Sequence, residues 1–245
     1  MKNLWIFGDS FSHPFESKIV SGGLMKLYGE WKKYDPKIYP EFIVEEMELN
    51  LKIKAINGCS NRTILSQFVN IMDEINDEDI IIINWTEINR HRIINNNKLF
   101  DIVAFNGTEK SLSISENSII EYSVNRIDTF SFYSEINEYI KLIKKSKPNN
   151  LIINWTWCVF DNPKKEALEF IDNMDFYGSL ETISHETKGE INDFHYSENA
   201  HKLLSDMFIE IIKNPKERKK YRLETHNPIF RPDINKKSKS KISYI

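Results

Sequence analysis

Leu4-Trp5-Ile6-Phe7-Gly8-Asp9-Ser10-Phe11-Ser12 opens the chain. Four apolar residues run without a break into Gly-Asp-Ser. A short unbroken apolar run, closed by a turn signal, reads as a strand buried on both faces. The glycine allows a sharp turn after it. Ser10 then stands just past the carboxyl end of a strand, where open α/β sheets place their ligand crevices. Gly, Asp and Ser are also ordinary turn residues, so the tripeptide alone fits a structural turn as well as a mount for a nucleophile.

The far end of the chain changes that balance. Asp193-Phe194-His195-Tyr196-Ser197-Glu198-Asn199-Ala200-His201 precedes a segment, Lys202 to Lys213, with helical spacing of apolar residues. A serine is a weak nucleophile until a base takes its proton, and the usual base is a histidine oriented by a carboxylate. Asp193 lies two residues before His195, and in an extended loop residues two apart project to the same side. Ser10, His195 and Asp193 are therefore the candidate nucleophile, base and acid.

Together these residues resemble the SGNH (GDSL-type) hydrolases, a family of esterases and deacetylases. Gly8-Asp9-Ser10 is similar to the family's nucleophile block. His195 to His201 resembles its closing block. Asn57-Gly58-Cys59-Ser60, after the strand-like run Leu51 to Ile56, resembles the second block, whose glycine gives a backbone N–H to the oxyanion. The blocks come in the family's order and span the chain to about residue 213. The resemblance implies a three-layer α/β/α, flavodoxin-like fold with a parallel central sheet. It implies an oxyanion held by the N–H groups of Ser10 and Gly58.

The remaining block departs from the family's Gly-x-Asn-Asp. Strand Asp79 to Ile83 runs into Asn84-Trp85-Thr86-Glu87, so in direct register Thr86 takes the place of the oxyanion asparagine and Asn84 that of the glycine. Either the Asn84 amide or the Thr86 hydroxyl is a candidate third donor, and the residues do not decide between them. A lost side-chain donor costs about 3 kcal/mol of transition-state stabilisation. The acid departs as well. The family's Asp-x-x-His register falls on Asn192, whereas the aspartate here is Asp193.

Apolar runs alternate with helical patterns, which points to a parallel α/β sheet. Strands are expected at Asn3 to Phe7, Leu51 to Ile56, Asp79 to Ile83 and Asn150 to Asn154, with a fifth near Met174 to Thr182. Helices are expected from about Pro36 to Leu49, Asn61 to Ile75, Thr129 to Lys145, Lys164 to Asp172 and Ser197 to Lys213. Asn61 and Ser197 are candidate N-caps. Ser12 to Asp35 carries Tyr28, Trp31 and Tyr34 and directly follows the nucleophile, so it should rim the cleft. Residues 87–128 are polar and poorly periodic, as in an insertion or lid. Strand-like pieces at Phe100 to Phe105 and Ser118 to Tyr122 suggest a hairpin within it.

The chain has 245 residues and a formal net charge of -3, with 40% hydrophobic content. That suits one hydrolase-like domain, residues 1–213, followed by a basic tail, residues 214–245. From Lys213 onward there are 11 Lys/Arg against 3 Asp/Glu. Lys236 to Lys241 is poor in apolar residues and reads as disordered and solubilising. Basic tails also attract nucleic acid or acidic partners, but no aromatic interleaving supports a specific nucleic-acid reader. No apolar run is long enough to span a membrane, and no basic stretch precedes a long apolar one as in a signal peptide. A cytoplasmic site is the default. Cys59 and Cys158 lack the spacing of a redox or metal motif, and Cys59 reads as a small buried residue rather than a thiol nucleophile. No metal or cofactor is expected, and no Gly-x-Gly-x-x-Gly follows the first strand. Arg62, Arg90 and Arg92 near strand ends read as surface charge or as contacts for an anionic group. The expected activity is hydrolysis of an ester, with an O-acetyl ester on a carbohydrate as one substrate class. The alternative is a non-catalytic binding or structural module with a degenerate oxyanion block.

Overall fold

Strand β1, Asn3–Phe7, has every residue but the first buried, as an unbroken apolar run requires. The computed structural model describes residues 1–15, 24–87, 90–95, 98–103, 129–158, 165–223 and 242–244. In these, β1 pairs in parallel with β2 (Asn50–Ile53) on one side and β3 (Ile80–Asn84) on the other. The register sets Leu4 beside Leu51 and Ile80, and Phe7 beside Ile83. Residues 90–95 and 98–103 form an antiparallel hairpin, β4 (Arg90–Asn95) and β5 (Lys98–Val103), outside the main sheet. The main sheet continues through β6 (Leu151–Thr156), β7 (Phe176–Tyr177) and β8 (Tyr221–Leu223), all parallel. Its last strand, β9 (Ile242–Tyr244), runs antiparallel on β8. The order across the sheet is β2-β1-β3-β6-β7-β8-β9.

Period-two alternation along the strands divides the core. Leu4, Ile6, Ile80, Ile82, Ile153 and Trp155 face helices α2 (Tyr39–Met47) and α7 (Glu198–Lys213), where Tyr39, Ile43, Leu204 and Phe208 meet them. Trp5, Phe7, Ile81, Ile83 and Ile152 face α3 (Asn61–Ile71), α4 (Thr129–Ser146) and α5 (Lys165–Asn173), which contribute Phe68, Ile140 and Phe170. Helices on both faces of a parallel sheet make a three-layer α/β/α fold, with the flavodoxin-like strand order 2-1-3 at one edge. Each wholly buried Ile or Phe contributes about 2 kcal/mol. Two further helices, α1 (Leu24–Lys32) and α6 (Ile183–Glu186), lie outside this alternation.

The strand predictions hold at β1, β3 and β6, while β2 ends three residues earlier than expected, at Ile53. Helix α2 starts at Tyr39 rather than Pro36, where the Glu41 carboxylate accepts from the N–H of Ile38 at 2.8 Å. Ser197 caps α7 as expected, accepting from the N–H of Ala200 at 3.2 Å. Asn61 does not cap α3. Ser60 takes that position, accepting from the N–H of Thr63 at 3.4 Å, and the Asn61 side chain turns to Thr86. The hairpin within 87–128 pairs 90–95 with 98–103; the expected strand at Ser118 to Tyr122 lies outside the described residues.

Beyond Lys213 the chain returns to the sheet. The N–H of Tyr221 donates to Asp175 O at 2.7 Å, and the Arg218 guanidinium pairs with the Asp175 carboxylate and donates to Ile152 O. Asp175 also accepts from the N–H of Asn154 at 2.8 Å. Asp175, just before β7, thus reaches β6 through its buried carboxylate and β8 through its carbonyl. Lys236 to Lys241 lies outside the described residues. No helix among the described residues is long and apolar enough to cross a membrane.

Candidate active site

Three strand ends build the site. Past β1, Ser10–Ser12 forms a single 3-10 turn, with Asp9 at its N-cap accepting from the N–H of Phe11 at 3.0 Å. Gly8 is set by space. A Cβ there would stand 2.6 Å from Asn84 Cβ and 3.0 Å from Ser12 Oγ. Past β2, the chain lies against Gly8, whose carbonyl accepts from the N–H of Ile56 at 2.9 Å and the Cys59 thiol at 3.3 Å. Gly58 holds φ +71°, a left-handed conformation that favours glycine. Past β3, the Thr86 backbone is held by Asn61, which accepts from its N–H and donates to its carbonyl, both at 2.9 Å. That reciprocal pair fastens the start of α3 to the end of β3.

The candidate base arrives from the other end of the chain. His195 Nε2 stands 2.7 Å from Ser10 Oγ, and His195 Nδ1 stands 2.5 Å from Asp193 Oδ1. The same Asp193 oxygen accepts from the N–H of His195 at 2.7 Å, so the Asp-x-His spacing closes on itself. Helix α6 clamps the loop. Ser184 Oγ donates to Asp193 O at 2.5 Å and accepts from the N–H of Asp193 at 2.6 Å, while the N–H of Ile183 donates to His195 O at 2.8 Å. Burial raises the Asp193 carboxyl, but the hydrogen bonds and charge of His195 outweigh it and leave it below the usual aspartate range. Phe194, between Asp193 and His195, is 75% exposed.

Asn84 and Thr86, the two candidate oxyanion side chains, are turned toward Asp9. Asn84 Nδ2 donates to Asp9 Oδ1 at 2.6 Å, and Thr86 Oγ1 donates to Asp9 Oδ2 at 2.8 Å. The single hydroxyl proton of Thr86 is thereby used. Among the described residues, the N–H groups of Ser10 and Gly58 make no hydrogen bond.

Asp9 is more than a turn residue. It is wholly buried, and Oδ2 also accepts from Arg90 Nη1 and Trp157 Nε1, each at 2.9 Å. Sequence reasoning passed over Asp9, Trp157 and Phe11 and left Arg90 with two readings. The available signal was a carboxylate inside an otherwise apolar strand end, which needs several donors if it is buried. Burial also raises the nearby Glu87 carboxyl, Arg90 opposing and Asp9 reinforcing that shift.

Other residues stay apart from the site's polar network. Arg62 pairs with Glu135 at 2.7 Å on the surface. His13 Nδ1 lies 3.1 Å from Pro14 O. His201 is buried beside Tyr39 and Tyr196. Cys59 is buried, and burial pushes the Cys158 thiol up to about 12.

No family model matches this chain, and no curated protein matches it. The chain is similar to solved esterases. One is the acetyl xylan esterase Est2A from the rumen bacterium Butyrivibrio proteoclasticus, at 12% identity and a TM-score of 0.46 over 88% of this chain. The chain spans 64% of that protein's length. A second is a carbohydrate esterase whose active site displays divergent catalytic and non-catalytic binding functions, at 13% identity and a TM-score of 0.45, over 88% of this chain and 69% of that one. A third is the psychrotrophic esterase EstA from Pseudoalteromonas sp., at 12% identity and a TM-score of 0.42, over 88% and 99%.

Proposed function

We propose that this chain is an SGNH-type serine hydrolase that cleaves an ester through an acyl-enzyme. The observation that supports this reading is the relay Ser10 Oγ–His195 Nε2–Asp193 Oδ1, at 2.7 and 2.5 Å. In the first step Ser10 Oγ bonds to the ester carbonyl carbon while His195 Nε2 takes the hydroxyl proton. Asp193, accepting from Nδ1–H, fixes the tautomer and stabilises the imidazolium. The carbonyl oxygen gains the negative charge and meets the N–H groups of Ser10 and Gly58. The ester C–O bond then breaks, and the leaving alcohol takes the proton from His195. Water repeats the sequence on the acyl-enzyme and releases the acid. The chemistry needs no metal or cofactor.

An O-acetyl ester on a carbohydrate is the substrate class to test first. Phe194 precedes the base in sequence and is exposed, and an exposed aromatic ring next to the base suits stacking on a sugar. With Asn84 and Thr86 both turned to Asp9, the oxyanion is left with backbone donors. That observation favours the second reading, a binding module that keeps the cleft and does not turn over.

The test compares wild type with Ser10→Ala on p-nitrophenyl acetate and on acetylated sugars, alongside labelling by a fluorophosphonate. Turnover and labelling that vanish in folded Ser10→Ala are the expected result. Equal background rates in both proteins, with no labelling of either, would overturn the hydrolase reading in favour of the binding module.

A further inference from the structure

The most heavily bonded carboxylate in this site belongs to no member of the Ser–His–Asp relay. Asp9 accepts from five groups: Phe11 N–H and Asn84 on Oδ1, and Thr86, Arg90 and Trp157 on Oδ2. Four of those donors come from loops or ends of the main sheet. Arg90 alone among them comes from the β4–β5 hairpin, which stands outside the sheet. Its side chain is 12% exposed, and its contact with Asp9 is an ion pair.

Arg90 meets the site a second time. Its Cζ lies 5.6 Å from the centre of the Trp157 ring. Trp157 stacks on Phe11, with ring centres 4.7 Å apart and planes 16° from parallel. Phe11 in turn lies 4.9 Å from the His195 ring. Arg90 therefore reaches the nucleophile through Asp9, its chain neighbour, and reaches the base through two aromatic rings. A planar guanidinium can donate in its plane and stack on its face at once, which an ammonium cannot.

We propose that Arg90 is a positioning residue, clasping Asp9 beside the nucleophile and backing the Trp157–Phe11 stack that sets the His195 ring. The catalytic consequence rests on the hydrolase reading above, whereas the effect on the His195 ring does not require turnover. An error of about 1 Å in such placement costs on the order of a hundredfold in rate. The hairpin thereby becomes part of the catalytic frame.

The experiment uses the full chain as wild type, Arg90→Met and Arg90→Lys. The first readout is the NMR signal of the His195 Nδ1–H held by Asp193, assigned with His195→Gln. The expected result is a single downfield line in wild type, displaced or broadened in Arg90→Met and only partly restored in Arg90→Lys. The second readout is kinetics on p-nitrophenyl acetate, a small neutral ester. Arg90→Met should lower kcat by about ten- to a hundredfold with KM within about twofold. A His195 signal unchanged in folded Arg90→Met overturns the proposal whatever the kinetics. So does an unchanged kcat, or a loss confined to KM, which would make Arg90 a substrate contact. A wild type that labels and turns over nothing defeats the hydrolase reading alone, and the His195 signal still decides the role of Arg90. If Arg90→Met does not fold, Arg90→Lys, which keeps the charge and loses the plane, carries the same comparison.

Discussion

Replacing Asp9 by asparagine changes one atom and should cost much of the fold's stability. The new amide must put its NH2 where Oδ1 or Oδ2 now accepts. At the Oδ2 position it would face Thr86, Arg90 and Trp157, three donors. At the Oδ1 position it would face two, Phe11 N–H and Asn84 Nδ2. The second placement is better, because Asn84 Oδ1 is buried without a partner among the described residues. A flip of the Asn84 amide would turn that oxygen onto the new NH2. Phe11 N–H would still lose its acceptor, at about 1–3 kcal/mol. Arg90, 12% exposed, would lose its counter-charge, at about 3 kcal/mol. The sum is on the order of 5 kcal/mol, against a total of about 5–15 for a domain. Urea unfolding of wild type and Asp9→Asn measures it. Adding Arg90→Met to Asp9→Asn should recover part of the loss, since the stranded charge is then gone. A loss below about 2 kcal/mol, or strict additivity in the double variant, would refute the view of Asp9 as a charge-paired hub.

Three further outcomes are expected. Gly8→Ala should lower stability by about 1–3 kcal/mol, because its Cβ would stand 2.6 Å from Asn84 Cβ; an unchanged urea midpoint would show that the β1 and β3 ends part easily. Ser197→Ala should cost about 1 kcal/mol through loss of the cap on Ala200 N–H, read as a drop in melting temperature; an unchanged melting temperature would show that the cap contributes nothing. Acid should weaken the fold, because burial, aided by the charge of His195, pushes His201 down to about 3. Between about pH 6.5 and that value the unfolded chain binds a proton that the folded one refuses. Stability then falls by about 1.4 kcal/mol per pH unit on acidification. Asp193, held below its ordinary range, contributes stability above its unfolded value that is lost at still lower pH. An identical slope from pH 7 to 4.5 in His201→Phe would discount His201.

How much of this was legible depended on which forces act within a few residues. β1 and β3 were readable because sheet strands covered on both faces must be apolar throughout, and Ile80–Asn84 is buried at every position. β2 was overextended because an edge strand, here half-exposed, carries no such pattern at its end. Helix α1 lies within Ser12 to Asp35, where no helix was expected, although Leu24, Leu27, Tyr28 and Trp31 keep helical spacing. β8 has three residues and sits among lysines, so charge concealed it. In the site, Ser10, Asp193 and His195, which the fold brings into contact, were legible as candidates because their chemistry is local to each residue type. The aim of Asn84 and Thr86 was not, since it depends on Asp9, 75 and 77 positions away. Asn61 shows the same limit: it has the chemistry of a cap, and a partner 25 residues on claims it instead.

The hydrogen bond from Ser10 to His195 spans 185 positions. A chain emerging from a ribosome exposes its serine 185 positions before its imidazole. Until then the serine has no base and is as unreactive as any other surface hydroxyl. On the hydrolase reading, the nascent protein is therefore silent by construction, and contacts so far apart in sequence make its maturation slow. Competence to attack an ester would arrive in one late event, when α6 and α7 close against β1.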